Sequence, residues 1–217
     1  MTLALSVPSG FIPLPVTGDS EQRHADASLI ASLAGFTSGH VSEAILGLSE
    51  KLHESGVFFA GQLVIPELEP EHYACFTIAR TSLGHRRLDV EDSEESASEM
   101  AQAIGSSLMK SNPAAVVQYR DLPCGPTVLV LRSGRIAAPD AASGVRKEVA
   151  APDPITTDTL QALIPSLVCQ EILVASVGSS SREHWPTFLK YALQMISSIR
   201  WDPQSTESES PESAGSR

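Results

Sequence analysis

The runs of β-branched and aromatic residues in this chain come in adjacent pairs, and this arrangement limits the fold more than any other feature. The runs "GVFFAGQLVI" and "HYACFTIARTSL" are separated only by a short loop whose proline and carboxylates suit a hairpin turn. Two more pairs follow, "AAVVQYRDL" with "GPTVLVLRSG" and "TLQALIP" with "LVCQEILVASV". The sequence therefore predicts about six strands that lie in antiparallel pairs.

Two amphipathic helices are predicted before the first strand pair. Asp19 and Gln22 have the spacing of a capping box, which marks a helix start. The apolar residues that follow on one helical face are Ala25, Leu29, Ile30 and Leu33. A second apolar stripe ends at Gly56, a residue suited to the left-handed exit of a helix.

Two further helices are predicted among and after the later strands. Asp92 with Glu95 marks the start of one, which ends before Pro113. Pro186 suits the first turn of the other, whose broad apolar face extends to Ile199. Paired strands with helices between them differ from the βαβ alternation of a dinucleotide-binding fold. The predicted fold class is α+β, an antiparallel sheet of about six strands covered by helices in an α/β/α sandwich.

Composition divides the chain into three segments. Residues 1–18 are rich in prolines, which exclude a helix and favour an extended segment along the edge of the body. Residues 19–201 are expected to form a single α+β domain, in which 134–158 make a long surface excursion poor in large apolar side chains. Residues 202–217 contain no large apolar residue and are expected to be a disordered acidic tail.

The overall charge excludes one class of partner. The 217 residues include 26 acidic and 15 basic side chains, which gives a formal net charge of −11. A chain of this charge repels phosphate backbones, so nucleic acid is not an expected partner. With 42% hydrophobic residues, the chain has enough apolar side chains for an ordinary globular core.

Sequence features that report on location favour a cytoplasmic protein. The apolar runs are far shorter than the ~20 residues that a bilayer crossing requires, so no membrane insertion is expected. The start of the chain has no basic residue and is broken by prolines, unlike a secretory signal peptide. Cys75, Cys124 and Cys169 are odd in number and widely spaced, which argues against a disulfide framework.

Cys124 is the main candidate for a reactive side chain. It lies in the turn "DLPCGP", which can expose a thiol. Together with Asp121 and a histidine distant in sequence, it would form the site of an enzyme or a small-ligand binder. No catalytic signature surrounds it, and an ordinary turn cysteine is the simpler explanation. No catalytic residue is therefore assigned.

The sequence shows no set of metal ligands with the spacing of a known site. His72 and Cys75 are three residues apart in a strand run, where alternation places them on opposite faces. The acidic stretch "DVEDSEESASE" lacks the glycine and the closing glutamate of a calcium loop and suits the start of a helix. We therefore expect no metal and no cofactor.

Five side chains besides Cys124 are candidates for contact with a partner. Arg86 and Arg87 lie next to the acidic stretch and either form local ion pairs or mark where an acidic partner docks. Phe58, Phe59 and Tyr119 are aromatic residues of strand runs, and the pattern does not determine which face of the sheet they occupy. These residues and Cys124 are the predicted partner-binding or reactive positions.

The order of the segments resembles that of the PsbP-like α/β/α sandwich proteins. The matching stretches are "VPSGFIPLP", the first strand pair, "DLPCGPTVLVL" and the closing "EILVASVGSS…WPTFLKYALQMISSIRW", and they span most of residues 6–201. That superfamily includes an extrinsic photosystem protein, a nuclear-import factor that binds a small GTPase, and short bacterial proteins of unknown role. The resemblance implies a fold and a bias toward protein binding, with no shared active site.

The resemblance and the missing catalytic set together predict a non-enzymatic protein-binding module. The expected setting is an accessory or chaperone-like component of a bacterial secretion or envelope-associated system, whose protein partner is not identified by the sequence. The alternative is an enzyme or small-ligand binder with a site near Cys124. A homodimer is a further alternative, because an antiparallel sheet of this size needs its edges covered or paired.

Overall fold

The structure, a computed structural model, describes residues 2–33, 39–69, 72–82, 94–136, 154–166 and 170–202. These ranges contain four α-helices: α1 (Ser20–Leu33), α2 (Gly39–Glu54), α3 (Glu94–Ser111) and α4 (Trp185–Ser198). They also contain nine strands: β1 (Thr2–Ala4), β2 (Phe11–Leu14), β3 (Val57–Val64), β4 (Tyr73–Ser82), β5 (Val116–Leu122), β6 (Gly125–Ile136), β7 (Ile155–Ser166), β8 (Glu171–Ser179) and β9 (Arg200–Asp202). A short 3-10 turn, Arg182–His184, lies between β8 and α4.

Seven of the described strands form one antiparallel sheet in the order β2-β3-β4-β8-β7-β6-β5. The three strand pairs expected from the sequence are all antiparallel neighbours in it. Two further pairings, β4 with β8 and β6 with β7, join these pairs into a continuous sheet. The predicted α+β fold is therefore confirmed, with β2 as a seventh strand.

Strand β2 is the edge of the sheet beside β3, as the proline-rich N-terminal segment predicts. Pro13 has no backbone N–H to donate, which suits an edge position. The ring of Phe11 crosses Gly61 of β3, where any side chain would collide with it. It stacks on Phe59 with ring centroids 5.3 Å apart. The glycine thereby allows an aromatic ring to hold the edge strand against the sheet.

Helix α4 covers one face of the sheet and forms the main core with it. Side chains in a strand alternate between faces, so every second residue of the central strands points toward this helix. The buried residues of α4 are Phe188, Ala192, Met195 and Ile196. The sheet residues in the same core include Phe76, Ile78, Leu160, Ile164, Leu173 and Val177. The apolar face of the last helix is therefore a core element, as the sequence predicted.

The opposite face of the sheet is covered at its two sides. Leu52 of α2 packs against Val57 and Ala60 of β3 on one side. Ala101 of α3 packs against Val130 of β6 on the other. Between these two helices the central strands border an open groove, whose lining includes Cys75, Thr77, Arg132, Gln161 and Ser176. The two faces of the sheet are thus covered unequally.

A separate two-stranded sheet joins the two ends of the described chain. β1 pairs antiparallel with β9, and Leu3 lies opposite Trp201. The backbone N–H of Ser6 donates to the hydroxyl oxygen of Ser198, near the end of α4, at 2.9 Å. These contacts hold the N-terminal segment beside the end of the last helix.

The surface excursion expected over 134–158 is shorter than predicted. β6 continues to Ile136 and β7 begins at Ile155, and these two residues lie opposite each other in the ladder. The strand ends carry mostly polar residues, so a pattern of large apolar side chains does not reveal them. Residues 137–153 lie outside the described residues, as does the predicted acidic tail apart from Asp202.

Phe188 provides a test of the core role of α4. Its side chain is fully buried, so Phe188→Ala removes apolar contacts and leaves a cavity in the main core. We expect the free energy of unfolding, measured by urea denaturation, to fall by about 3–5 kcal/mol. Lys190 on the exposed side of the same helix is the matched control, and Lys190→Ala should change this free energy by less than about 0.5 kcal/mol. Equal losses in the two variants would contradict the role assigned to the helix.

Candidate functional site

The predicted aromatic residues of β3 pack inside the structure. Phe59 stacks on Phe11 and meets the ring of Phe76 edge to face, with centroids 6.2 Å apart. Phe58 lies under the guanidinium of Arg80, whose Cζ is 4.5 Å from the ring centroid. Both phenylalanines are partly buried against the main core, because an irregularity in the register of β3 turns successive side chains toward the same face. These rings stabilise the sheet and are poorly placed to anchor a partner.

Cys124 lies in the core, although the composition of its turn is compatible with an exposed thiol. Its side chain is 6% exposed, and its Sγ lies 3.8 Å from the Thr127 hydroxyl and 3.9 Å from the carbonyl oxygen of Ile196 in α4. Burial raises the pKa of this thiol, which lowers the fraction of reactive thiolate at neutral pH. The thiol is buried because α4 packs against the turn of the β5–β6 hairpin, and this burial counts against the alternative of a reactive Cys124.

Tyr119 lies on β5, at the opposite edge of the sheet from β2. Its side chain is 36% exposed, and its hydroxyl donates to Asp121 Oδ1 at 2.7 Å and lies 3.1 Å from Ser98 Oγ of α3. This hydrogen bond holds Asp121, the acid expected beside Cys124, on the surface of the edge strand. Arg86 and Arg87 lie outside the described residues. The described members of the predicted set are thus dispersed over separate parts of the sheet.

The apolar stripe of α1 faces outward. The buried residues of this helix are Ala27 and Ala31. Leu29, in contrast, is 57% exposed and Leu33 is 80% exposed. The amphipathic pattern predicts a helix that packs through its large apolar residues, but α1, which contacts chiefly α2, fully buries only Ala27 and Ala31. Its leucines are left uncovered by the described part of the chain.

These leucines form one wall of a cavity that we call the edge groove. Its other wall is β2 and the residues that follow it, and its volume is about 620 Å³. The lining residues are Ile12, Pro13, Leu14, Pro15, Thr17, Asp26, Leu29, Ile30 and Leu33. Ile12 is 44% exposed, so apolar surface is available on both walls. The lining of the edge groove is more apolar than that of three other concave surfaces formed by the described residues.

Hydrogen bonds hold the two walls of the edge groove in place. On the β2 side, Ser49 of α2 donates to the carbonyl oxygen of Pro15, and the ring Nδ1 of His53 lies 3.0 Å from the carbonyl oxygen of Val16. On the α1 side, the backbone N–H of Gln22 donates to Asp19 Oδ1 at 2.8 Å, which is one half of the predicted capping box. These bonds fix the positions of the elements that form both walls.

The open groove on the sheet, which we call the central polar groove, has a different chemistry. Its volume is about 460 Å³. The Arg132 guanidinium donates to the Gln161 side-chain oxygen, and Gln161 Nε2 donates to Ser176 Oγ at 3.4 Å, so this network crosses β6, β7 and β8. Cys75 is exposed in the groove, and partial desolvation raises the pKa of its thiol. The network therefore links the side chains of three neighbouring strands across the groove.

A third group of polar side chains lies where β4 begins and β8 ends. The Nε2 atoms of His72 and His184 lie 3.9 Å and 3.4 Å from the same carboxylate oxygen of Glu183. The sequence pattern excluded a shared site for His72 and Cys75, and it missed His184 because only the pairing of β4 with β8 brings the two histidines together. These three side chains are the described residues able to ligate a metal together.

Comparisons with known proteins do not identify a family for this chain. No protein-family model matches it, and no curated protein matches it. Among the described residues, no helix is both long and apolar enough to cross a bilayer. The functional surface is therefore inferred from the residues of the chain itself.

Alkylation provides a test of cysteine exposure. Iodoacetamide should modify Cys75 in the native protein, and Cys124 only after denaturation, because the first thiol is exposed and the second is buried. Desolvation raises the pKa of Cys75 above its ordinary value of 9.0, so its alkylation rate should continue to rise with pH beyond that value. Peptide mapping by mass spectrometry assigns the modified residue. Modification of native Cys124 at the rate of Cys75 would restore the alternative site.

Proposed function

We propose that this protein is a non-enzymatic protein-binding module that receives an apolar helix of a partner in the edge groove. The observation that supports this function is the exposure of Leu29 and Leu33 on a helix that buries its alanines. Monomeric proteins rarely expose large contiguous apolar patches, and a patch of this kind marks an interaction site. Full burial of one leucine contributes roughly 1.5–3 kcal/mol, so covering Leu29 and Leu33 would favour binding of an apolar partner.

The form of the edge groove favours a helix over a strand as its occupant. An added strand needs a continuous row of backbone donors and acceptors on the edge of the sheet. β2 spans only Phe11–Leu14 and contains Pro13, which has no N–H to donate. Leu29, Ile30 and Leu33, in contrast, present the spacing that packs against the apolar stripe of another helix.

The charges near the edge groove favour a basic partner. Asp26 is the one charged side chain among the described lining residues. Glu21 lies in the first turn of the same helix, and the whole chain carries a net charge of −11. Opposite charge on a partner raises the association rate and improves selectivity. An amphipathic helix with leucines on one side and lysines or arginines beside them therefore fits the groove.

The cellular role that accords with this surface is an accessory or chaperone-like component of a bacterial secretion or envelope-associated system, acting in the cytoplasm. The resemblance to PsbP-like proteins supports the bias toward protein binding. A site near Cys124 has less support, because the thiol is buried beneath α4. A homodimer formed through the edge strands β2 or β5 competes with the proposal and is distinguished by the experiment below.

Binding of designed peptides tests the proposed occupant. The probe is a fluorescein-labelled amphipathic peptide with leucines on one face and lysines on the other, and binding is followed by fluorescence anisotropy. Two control peptides carry glutamates in place of the lysines or serines in place of the leucines. We expect the basic apolar peptide to bind best, and Leu29→Asp to weaken it at least about tenfold, which corresponds to ~1.4 kcal/mol.

Leu48 is the matched control for this substitution. It is 48% exposed on α2 and does not line the edge groove, so Leu48→Asp should leave peptide binding unchanged. Equal binding by the Leu29→Asp and Leu48→Asp variants, or a preference for the acidic peptide, would contradict the proposal. Light scattering gives two separate outcomes. A dimer that Leu33→Asp converts to a monomer would show that a second copy occupies the groove, whereas a dimer that persists in this variant would favour pairing through an edge strand of the sheet.

A further inference from the structure

The antiparallel register of β4 and β8 brings His72 next to the turn that follows β8. Cys75 lies opposite Gly178. In an antiparallel pair, a step backward along one strand corresponds to a step forward along the other. Continuing the register by three residues therefore places His72 opposite Ser181. The 3.2 Å distance between His72 Nδ1 and Ser181 Oγ agrees with that position. The 3-10 turn begins at the next residue, so two more side chains are carried to the same corner of the sheet.

Three side chains of the type that bind metals converge at this corner. His72 and His184 meet edge to face, with ring centroids 4.5 Å apart, and both direct Nε2 toward Glu183 Oε1. The three ligand atoms lie within 4.8 Å of one another. A tetrahedral metal with bonds of ~2.0–2.1 Å needs its ligand atoms ~3.3–3.5 Å apart. Small side-chain rotations therefore bring all three atoms to bonding distance.

We propose that His72, Glu183 and His184 form a binding site for a divalent transition metal, with Zn²⁺ as the best match. Two imidazole nitrogens and one carboxylate oxygen are a donor set of zinc sites that keep one position open. Ca²⁺ and Mg²⁺ prefer oxygen ligands, and only one residue of the three supplies them. Water completes the coordination shell. This site does not depend on the proposed function of the edge groove.

Hydrogen bonds prepare His72 to act as a ligand. Its Nδ1 is engaged by Ser181, which fixes the ring so that Nε2 faces Glu183. The backbone N–H of Ser181 donates to Ser179 Oγ at 3.1 Å, and the hydroxyl of Ser179 donates to the carbonyl oxygen of Tyr73 at 2.7 Å. This series of bonds ties the turn to the first residue of β4. The ring is therefore oriented before any metal binds.

The exposure of the three side chains also suits metal entry. The side chains of His72 and His184 are 24% and 28% exposed, so their rings are held by packing. The Glu183 side chain is 71% exposed and is able to rotate toward an incoming ion. A site built in this way has two positioned imidazoles and one adjustable carboxylate.

Calorimetric titration with ZnCl₂ tests the site. The protein is the full chain without a histidine tag, carrying Cys75→Ser to remove the exposed thiol, which is itself able to bind zinc. We expect one Zn²⁺ per chain. His72→Gln and His184→Gln should each weaken binding by at least ~10-fold, and Ser181→Ala by ~10-fold, because outer-shell partners of ligating histidines have effects of this size.

His40 supplies the matched control. His40 Nδ1 lies 3.6 Å from Glu43 Oε2 in an exposed pair on α2. His40→Gln therefore also removes a histidine beside a carboxylate, but one that has no second imidazole near it among the described residues. The zinc affinity of the His40→Gln variant should equal that of the Cys75→Ser protein. Circular dichroism verifies that every variant is folded. No zinc binding, or binding that survives both His72→Gln and His184→Gln, would overturn the proposal. A thiolate-to-cobalt charge-transfer band in the Co²⁺-loaded protein would do so too, because it places the metal on a cysteine.

Discussion

The pairing of β4 with β8 joins the first and last strand pairs of this protein, and the rest of the architecture is arranged around it. The two strands are far apart in sequence and lie side by side at the centre of the sheet. Bringing together two strands that are far apart in sequence costs conformational entropy. The free energy gained by burying the apolar face of the sheet offsets this cost. Phe76, Ile78, Leu173 and Val177 project from these strands into the main core under α4. Without this pairing, neither the core nor the corner that holds the two histidines exists.

The side chains of the central strands also explain why the two faces of the sheet are covered differently. Toward α4, β4 and β8 present large apolar residues, which need a helix to exclude water. Toward the other face, the same strands present Cys75, Thr77, Ser176 and Gly178. Small and polar side chains of this kind are compatible with an open groove. The helices on that face therefore pack over the sides of the sheet, where Ala60 and Val130 provide apolar contacts.

Local sequence patterns predict the elements of this fold well, and its contacts between distant elements poorly. The strand pairs, the Asp19 cap of α1 and the α+β class follow from periodicity and turn residues, which act over a few positions, whereas the predicted cap at Asp92 lies outside the described residues. The sequence predicts β2 only as an extended edge segment, because four residues that include Pro13 give no strand signal.

The candidate sites depend on contacts that no local pattern contains. The turn around Cys124 has the composition of an exposed loop, and only the position of α4 determines that the thiol is buried. His72 and His184 are unremarkable singly and become a pair through the β4–β8 register. The stripe on α1 shows that the helix has an apolar face, but periodicity does not specify what covers that face.

The weak attachment of α1 connects the edge groove to the stability of the fold. α1 contacts chiefly α2, and it buries only the small side chains of Ala27 and Ala31. Its larger apolar residues, Leu29 and Leu33, contribute little to the packing of the described chain. Covering these two leucines would therefore remove from water apolar area that the described chain leaves exposed. A partner helix in the edge groove would supply α1 with apolar packing that the sheet does not provide.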